Sequence, residues 1–125
     1  MKKNLDQIRA INAFDTARQR ISGKEGGEVI KKVPPLILNH GLLAVGAYAF
    51  DEKTGFKAVV DAIARHLSHP AIALVPAECT TTDTLMRYLN EKADSDQLRC
   101  CTTEALAWLE YARRYIKRDK GEDRS

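Results

Sequence analysis

The stretch Leu98-Arg-Cys-Cys-Thr-Thr-Glu-Ala-Leu-Ala-Trp-Leu-Glu-Tyr-Ala-Arg-Arg-Tyr-Ile116 decides the fold. Leu98, Thr102, Ala105, Leu109, Ala112 and Ile116 follow one another at alternating intervals of four and three residues, so they line one side of a continuous helix. Trp108 lies beside that seam, with Ala105 and Ala112 at helical spacing, and is expected in the core. A seam of this kind needs other helices to cover it.

Working outward, the same period returns in nearly every apolar segment. Leu5, Ile8, Ile11, Phe14, Ala17 and Ile21 predict a first helix from Asn4 to about Ser22, with Asn4 as N-cap and Gln7 completing a capping box. Gly23, Gly26 and Gly27 read as the loop that stops it. Val29, Val33 and Ile37 share one side of a second segment, Glu28 to Asn39, which Pro34 and Pro35 interrupt as a kink or as the start of a new turn.

Gly41 to Phe50 is apolar on every side, which predicts a buried central helix, and Gly46 would let a neighbouring helix come close. Asp51 to Gly55 reads as a polar turn. Phe56, Val59, Val60, Ile63 and Leu67 form another stripe, with Asp61 and Arg65 paired on its outer face, and His69-Pro70 ends it. Residues 71–80 are the least legible: Ala71 to Val75 could be a strand, but no second strand exists to pair with it. Thr80 and Asp83 make a capping box before Leu85, Met86 and Leu89. The expectation is an all-α, compact, single-domain bundle of about six helices over residues 1–118, followed by a charged, frayed tail at 119–125.

Composition sets the class. The chain of 125 residues is 44% hydrophobic and 30% charged, ordinary for one globular domain. The basic start at Lys2 and Lys3 leads into Asn4, Leu5 and Asp6 instead of an apolar run, so a secretory signal is not expected. The longest apolar run is half the roughly 20 residues of a membrane span. Cys79, Cys100 and Cys101 are odd in number and read as reduced thiols in a cytoplasm. Net charge is only +3, yet residues 1–24 hold six Lys or Arg against two Asp, and residues 51–96 hold five against eight acidic groups. Basic ends around an acidic middle point to directional docking in an assembly.

Chemistry-bearing motifs are sparse. His66 and His69 sit three apart, but His40 and the cysteines add no second pair of ligands, so both read as surface or helix-end histidines and no metal site is expected. No Walker loop, dinucleotide fingerprint, zinc-protease helix or kinase signature is present, and Cys79 beside Glu78 has no base near it in sequence. The expectation is a protein that is not an enzyme and has no cofactor. The basic residues carry more. Arg113, Arg114, Lys117 and Arg118 fall within six residues, more than the end of a helix needs, and Lys24, Lys31 and Lys32 add a second group. Phosphate contacts require only such positive charge.

Three stretches resemble a known family. Val33-Pro-Pro-Leu-Ile-Leu-Asn-His-Gly-Leu-Leu-Ala-Val-Gly-Ala-Tyr-Ala-Phe50 is similar to the proline, asparagine-x-glycine-leucine and apolar-helix pattern of the small subunit of Cmr complexes, the type III-B CRISPR effectors. Thr102 to Lys117, with Glu-Ala-Leu-Ala-Trp-Leu at its core, resembles the same family's last helix, and Leu5 to Ala13 resembles its first. That resemblance implies an all-helical, non-catalytic subunit of an antiviral ribonucleoprotein. It implies packing against the other Cmr-type subunits and copies of itself, and contact with the guide and target RNA through Lys24, Lys31, Lys32, Arg113, Arg114, Lys117 and Arg118. The rival expectation is a free-standing helical adaptor, homodimeric or not, without a nucleic-acid partner.

Overall fold

The computed structural model describes residues 3–17, 23–50 and 55–115, apart from the side chains of residues 17 and 23–28. Six α-helices follow one another: α1 (Leu5–Asn12), continued by a π turn (Ala13–Ala17), then α2 (Gly23–His40), α3 (Leu42–Phe50), α4 (Phe56–Ser68), α5 (Thr82–Glu91) and α6 (Ser95–Tyr115). No strand occurs among the described residues. The all-α bundle expected from the spacing is the fold.

The start of α1 is as expected: the Asn4 side chain accepts from the Gln7 N–H at 2.8 Å and Gln7 Oε1 accepts from the Asn4 N–H at 2.9 Å. Its expected end near Ser22 and the polar turn at 51–54 lie outside the described residues, as do Ile116 and the charged tail. The glycines are a correction. Gly23, Gly26 and Gly27 fall inside α2, and so do Pro34 and Pro35. Each proline removes one backbone donor, so the Ile30 and Lys31 carbonyls lose their usual partners, a defect of order 3 kcal/mol at an interior site. Burial outweighs it: Val29, Ile30, Val33 and Ile37 are all in the core, each contributing about 1.5–3 kcal/mol. The helix stops at Gly41, whose φ of +88° suits glycine and whose N–H reaches the Ile37 carbonyl at 2.8 Å.

The central helix is α4, and not α3 as the run of apolar residues implied. α4 packs against α2, α3, α5 and α6 and buries Val59, Val60, Ala62, Ile63, Ala64 and Leu67. α3 buries Leu42, Val45, Gly46 and Ala49 but leaves Tyr48 and Phe50 more than half exposed, at 55% and 53%. Gly46 does admit a close neighbour: a Cβ there would run into the Met86 thioether of α5, with Met86 Cγ only 2.9 Å away.

Two local pairings also differ from expectation. Asp61 does not turn outward to Arg65; its Oδ1 accepts from the Thr82 N–H at 2.6 Å and from the Thr82 hydroxyl at 2.7 Å, tying α4 to the start of α5. The capping box of α5 is one residue later than read, formed by Thr81 and Thr84. Residues 71–80 are turns, held where Gln97 Nε2 donates to the Leu74 carbonyl at 3.0 Å and to the Tyr88 hydroxyl. α6 behaves as its seam predicts: Cys101, Ala105, Trp108, Leu109 and Ala112 are buried, and the Thr102 hydroxyl satisfies itself on the Leu98 carbonyl at 2.8 Å.

Candidate nucleic-acid interface

Of the expected phosphate-contacting residues, Lys24, Lys31 and Lys32 fall on α2 and Arg113 and Arg114 on α6, two helices that pack directly on one another. Lys31 and Lys32 follow the buried pair Val29 and Ile30, and the helical turn carries both of them to solvent. Arg113 and Arg114 sit past the buried Ala112 on the last turn of α6, again exposed. None of these four forms an ion pair among the described residues. Lys24 lies in the first turn of α2, its side chain outside the described set, and Lys117 and Arg118 lie beyond it. The structure therefore places two pairs of free cations on neighbouring helices.

Exposed apolar side chains form the second feature of the surface. Leu38 at the end of α2 is 71% exposed, and Tyr48 and Phe50 stand out from α3, Tyr48 stacked on Phe56 with ring centroids 6.1 Å apart. At the other end of the chain, Phe14 meets Tyr115 edge to face at 5.4 Å.

Sequence reading missed a third feature, a polar clasp under α1. His66 is buried, not a surface histidine. Its Nε2 lies 2.9 Å from Glu104 Oε2 and its Nδ1 lies 3.0 Å from Asn12 Nδ2. Arg9 closes the set as a fork, Nε to Glu104 Oε2 and Nη2 to Glu104 Oε1, both at 2.8 Å. A carboxylate only accepts, so His66 Nε2 carries the proton, Nδ1 keeps its lone pair, and the Asn12 amide donates to it. Trp108 stacks on the imidazole at 5.4 Å. Burial holds the His66 imidazole below its ordinary value, against the pull of Glu104. Glu104 feels burial pushing upward, and the bonds from Arg9 and His66 outweigh it and hold the carboxyl below its usual range. The signal was present in the sequence: His66 and Glu104 are polar residues set into apolar faces, between Ile63 and Leu67 and between Cys101 and Trp108.

Among the described residues no group of three or more His, Cys, Asp or Glu side chains comes together as a cage for a metal ion, and His69 instead caps its own helix end, its Nδ1 accepting from the Ala71 N–H at 3.1 Å. No described helix is long and apolar enough to cross a membrane. Cys79 and Cys101 are buried and Cys100 exposed, all three as free thiols.

The chain belongs to the family of the CRISPR-associated protein Cas_Cmr5, whose family model matches residues 5–118. It is thereby a member of the small-subunit family of Cmr, type III-B CRISPR, complexes, with other Cmr subunits as its partners. No curated protein and no solved structure matches it.

Proposed function

We propose that this chain is a non-catalytic structural subunit of a Cmr ribonucleoprotein in the cytoplasm, where it packs against neighbouring subunits and holds the guide and target RNA by their phosphates. The observation that carries the reading is the exposure of Lys31, Lys32, Arg113 and Arg114, unpaired among the described residues and borne on two helices in mutual contact. Cations left free at a surface have no stabilising partner to lose, and they suit phosphate contact, which needs charge without base-specific geometry. The apolar residues Leu38, Tyr48 and Phe50 support the protein-packing half of the role. The non-catalytic half of the reading is supported at the clasp, where both oxygens of Glu104 are taken by Arg9 and His66, so that this buried carboxylate serves packing and is not free to act as a base.

Binding to single-stranded RNA across a salt series tests the reading. Neutralising about four phosphates gives a slope of log affinity on log salt of roughly −3. Reversing Arg113 and Lys117 to Glu, or Lys31 and Lys32 to Glu, should flatten that slope and weaken incorporation into RNA-loaded complexes while helix content is kept. Wild-type affinity and slope in both double variants would refute RNA contact by these residues and favour an adaptor without nucleic acid.

A further inference from the structure

The inner side of α1 is polar. Of its eight residues only Asn12 is buried, while Leu5 and Ile11 are 45% and 40% exposed. A helix that buries so little apolar surface is held by what its polar side grips. That grip is the Arg9 fork on Glu104 of α6 and the Asn12 amide on His66 of α4. Asp6 adds an exposed link to Arg9 at 3.1 Å.

Both main links pass through the same imidazole or the same carboxylate. A second proton on His66 must go to Nδ1, where the Asn12 amide already points its own donor. Two N–H groups then face each other at a contact of 3.0 Å. The imidazolium also competes with the Arg9 guanidinium for Glu104 Oε2, which accepts from both. One buried anion then faces two cations, and the guanidinium is the one that can swing out to water. We propose that His66, Asn12, Glu104 and Arg9 form a proton-sensitive latch that holds α1 on the bundle when His66 is neutral and releases it when His66 is protonated.

The charged groups acting on His66 are Glu104 from α6, Arg9 from α1 and His69 just past the end of α4; among the described residues α2, α3, α5 and the π turn contribute none. Burial favours the neutral ring in the closed state, so the released state binds the extra proton more readily. The sign follows. Above the ordinary histidine value of about 6.5 neither state is protonated and the latch is indifferent to pH. Below it, release takes up a proton, and the opening constant should climb toward about tenfold per pH unit until the closed-state histidine titrates as well.

Hydrogen exchange followed by mass spectrometry on the full chain, corrected for the chemical exchange rate, measures opening at each helix. We expect exchange in α1 to be flat above pH 7 and to accelerate toward that slope below about 6.5, while α5, which makes no part of the latch, keeps its protection. His66→Gln should abolish the acceleration. If that variant does not fold, Asn12→Asp serves instead: an acceptor placed against Nδ1 retains the proton, and α1 protection should rise with acid. The latch is overturned by a pH-independent wild-type α1, by α1 and α5 losing protection together, by an unaltered slope in His66→Gln, or by an unaltered slope in Asn12→Asp.

Discussion

Replacing Trp108 with alanine should destabilise the bundle by about 3–5 kcal/mol, the range for truncating a fully buried large aromatic. The ring is completely enclosed, stacks on His66 at 5.4 Å, and belongs to the helix that touches α1, the π turn, α2, α3 and α4. Removing it strips roughly 140 Å³ of side chain from the core; at about 24 cal/mol per Å³ the unrelaxed cavity costs some 3 kcal/mol, and the lost transfer free energy of the ring adds about 2–3 kcal/mol. A second term opposes it. Trp108 Nε1 is buried with no hydrogen-bond partner among the described residues, and shedding such a donor returns about 1–3 kcal/mol. Trp108→Phe isolates that term, because a phenyl ring fills much of the space without the orphan N–H, and it should cost under about 1.5 kcal/mol. Urea denaturation followed by helical circular dichroism measures both. With a slope near 2 kcal/mol per molar, the alanine variant's midpoint should fall by about 2 M and the phenylalanine variant's by less than half of that. Equal losses in the two variants would show that the Nε1 has a partner; no loss in Trp108→Ala, with weakened RNA binding, would make the ring an RNA-stacking residue and refute its place in the core.

Other outcomes follow from single contacts. Gly46→Val should destabilise by about 1–3 kcal/mol, because its Cβ meets the buried Met86 side chain; Met86→Ala in the same chain should recover part of the loss in a thermal melt. Asp61→Ala leaves the Thr82 N–H without its acceptor and the Thr82 hydroxyl with only the Lys57 carbonyl at 3.4 Å, and should cost about 1–3 kcal/mol, read as early loss of exchange protection at the start of α5. Burial pushes the Cys101 thiol up to about 11, so a disulfide reagent at pH 8 should label exposed Cys100 quickly and reach Cys101 only on unfolding. Equal labelling of the two neighbours in the folded protein would contradict the packing of α6.

Hydrophobic period alone determined that this chain is helical. Four of the five stripes read at intervals of three and four are buried in the structure: Val29, Val33 and Ile37 in α2, Val59, Val60, Ile63 and Leu67 in α4, Leu85, Met86 and Leu89 in α5, Ala105, Leu109 and Ala112 in α6; the first is not, since Leu5, Ile11 and Phe14 stay exposed. Local capping was legible too, because a side chain reaching its own first turn needs no tertiary partner, as at Asn4. The motifs that carry the family resemblance were likewise linear.

What the tertiary structure decided is everything that depends on a neighbour distant in sequence. Gly23 to Pro35 is a poor helix by propensity and becomes one because its apolar side is buried against the bundle. α3 is apolar on all sides and yet lies at the surface, since composition cannot tell a core face from an exposed face awaiting a partner. Asp61 chose Thr82, twenty-one residues away, over Arg65 one turn away, because there it accepts from both the N–H and the hydroxyl at the start of α5 in a part-buried site. The clasp joins residues 9, 12, 66 and 104, and no local rule connects positions up to 95 apart. Polar residues on apolar faces announced that something would be paired there; only the packing of α1, α4 and α6 said with what, because a buried charge must find its counter-charge wherever the fold brings one.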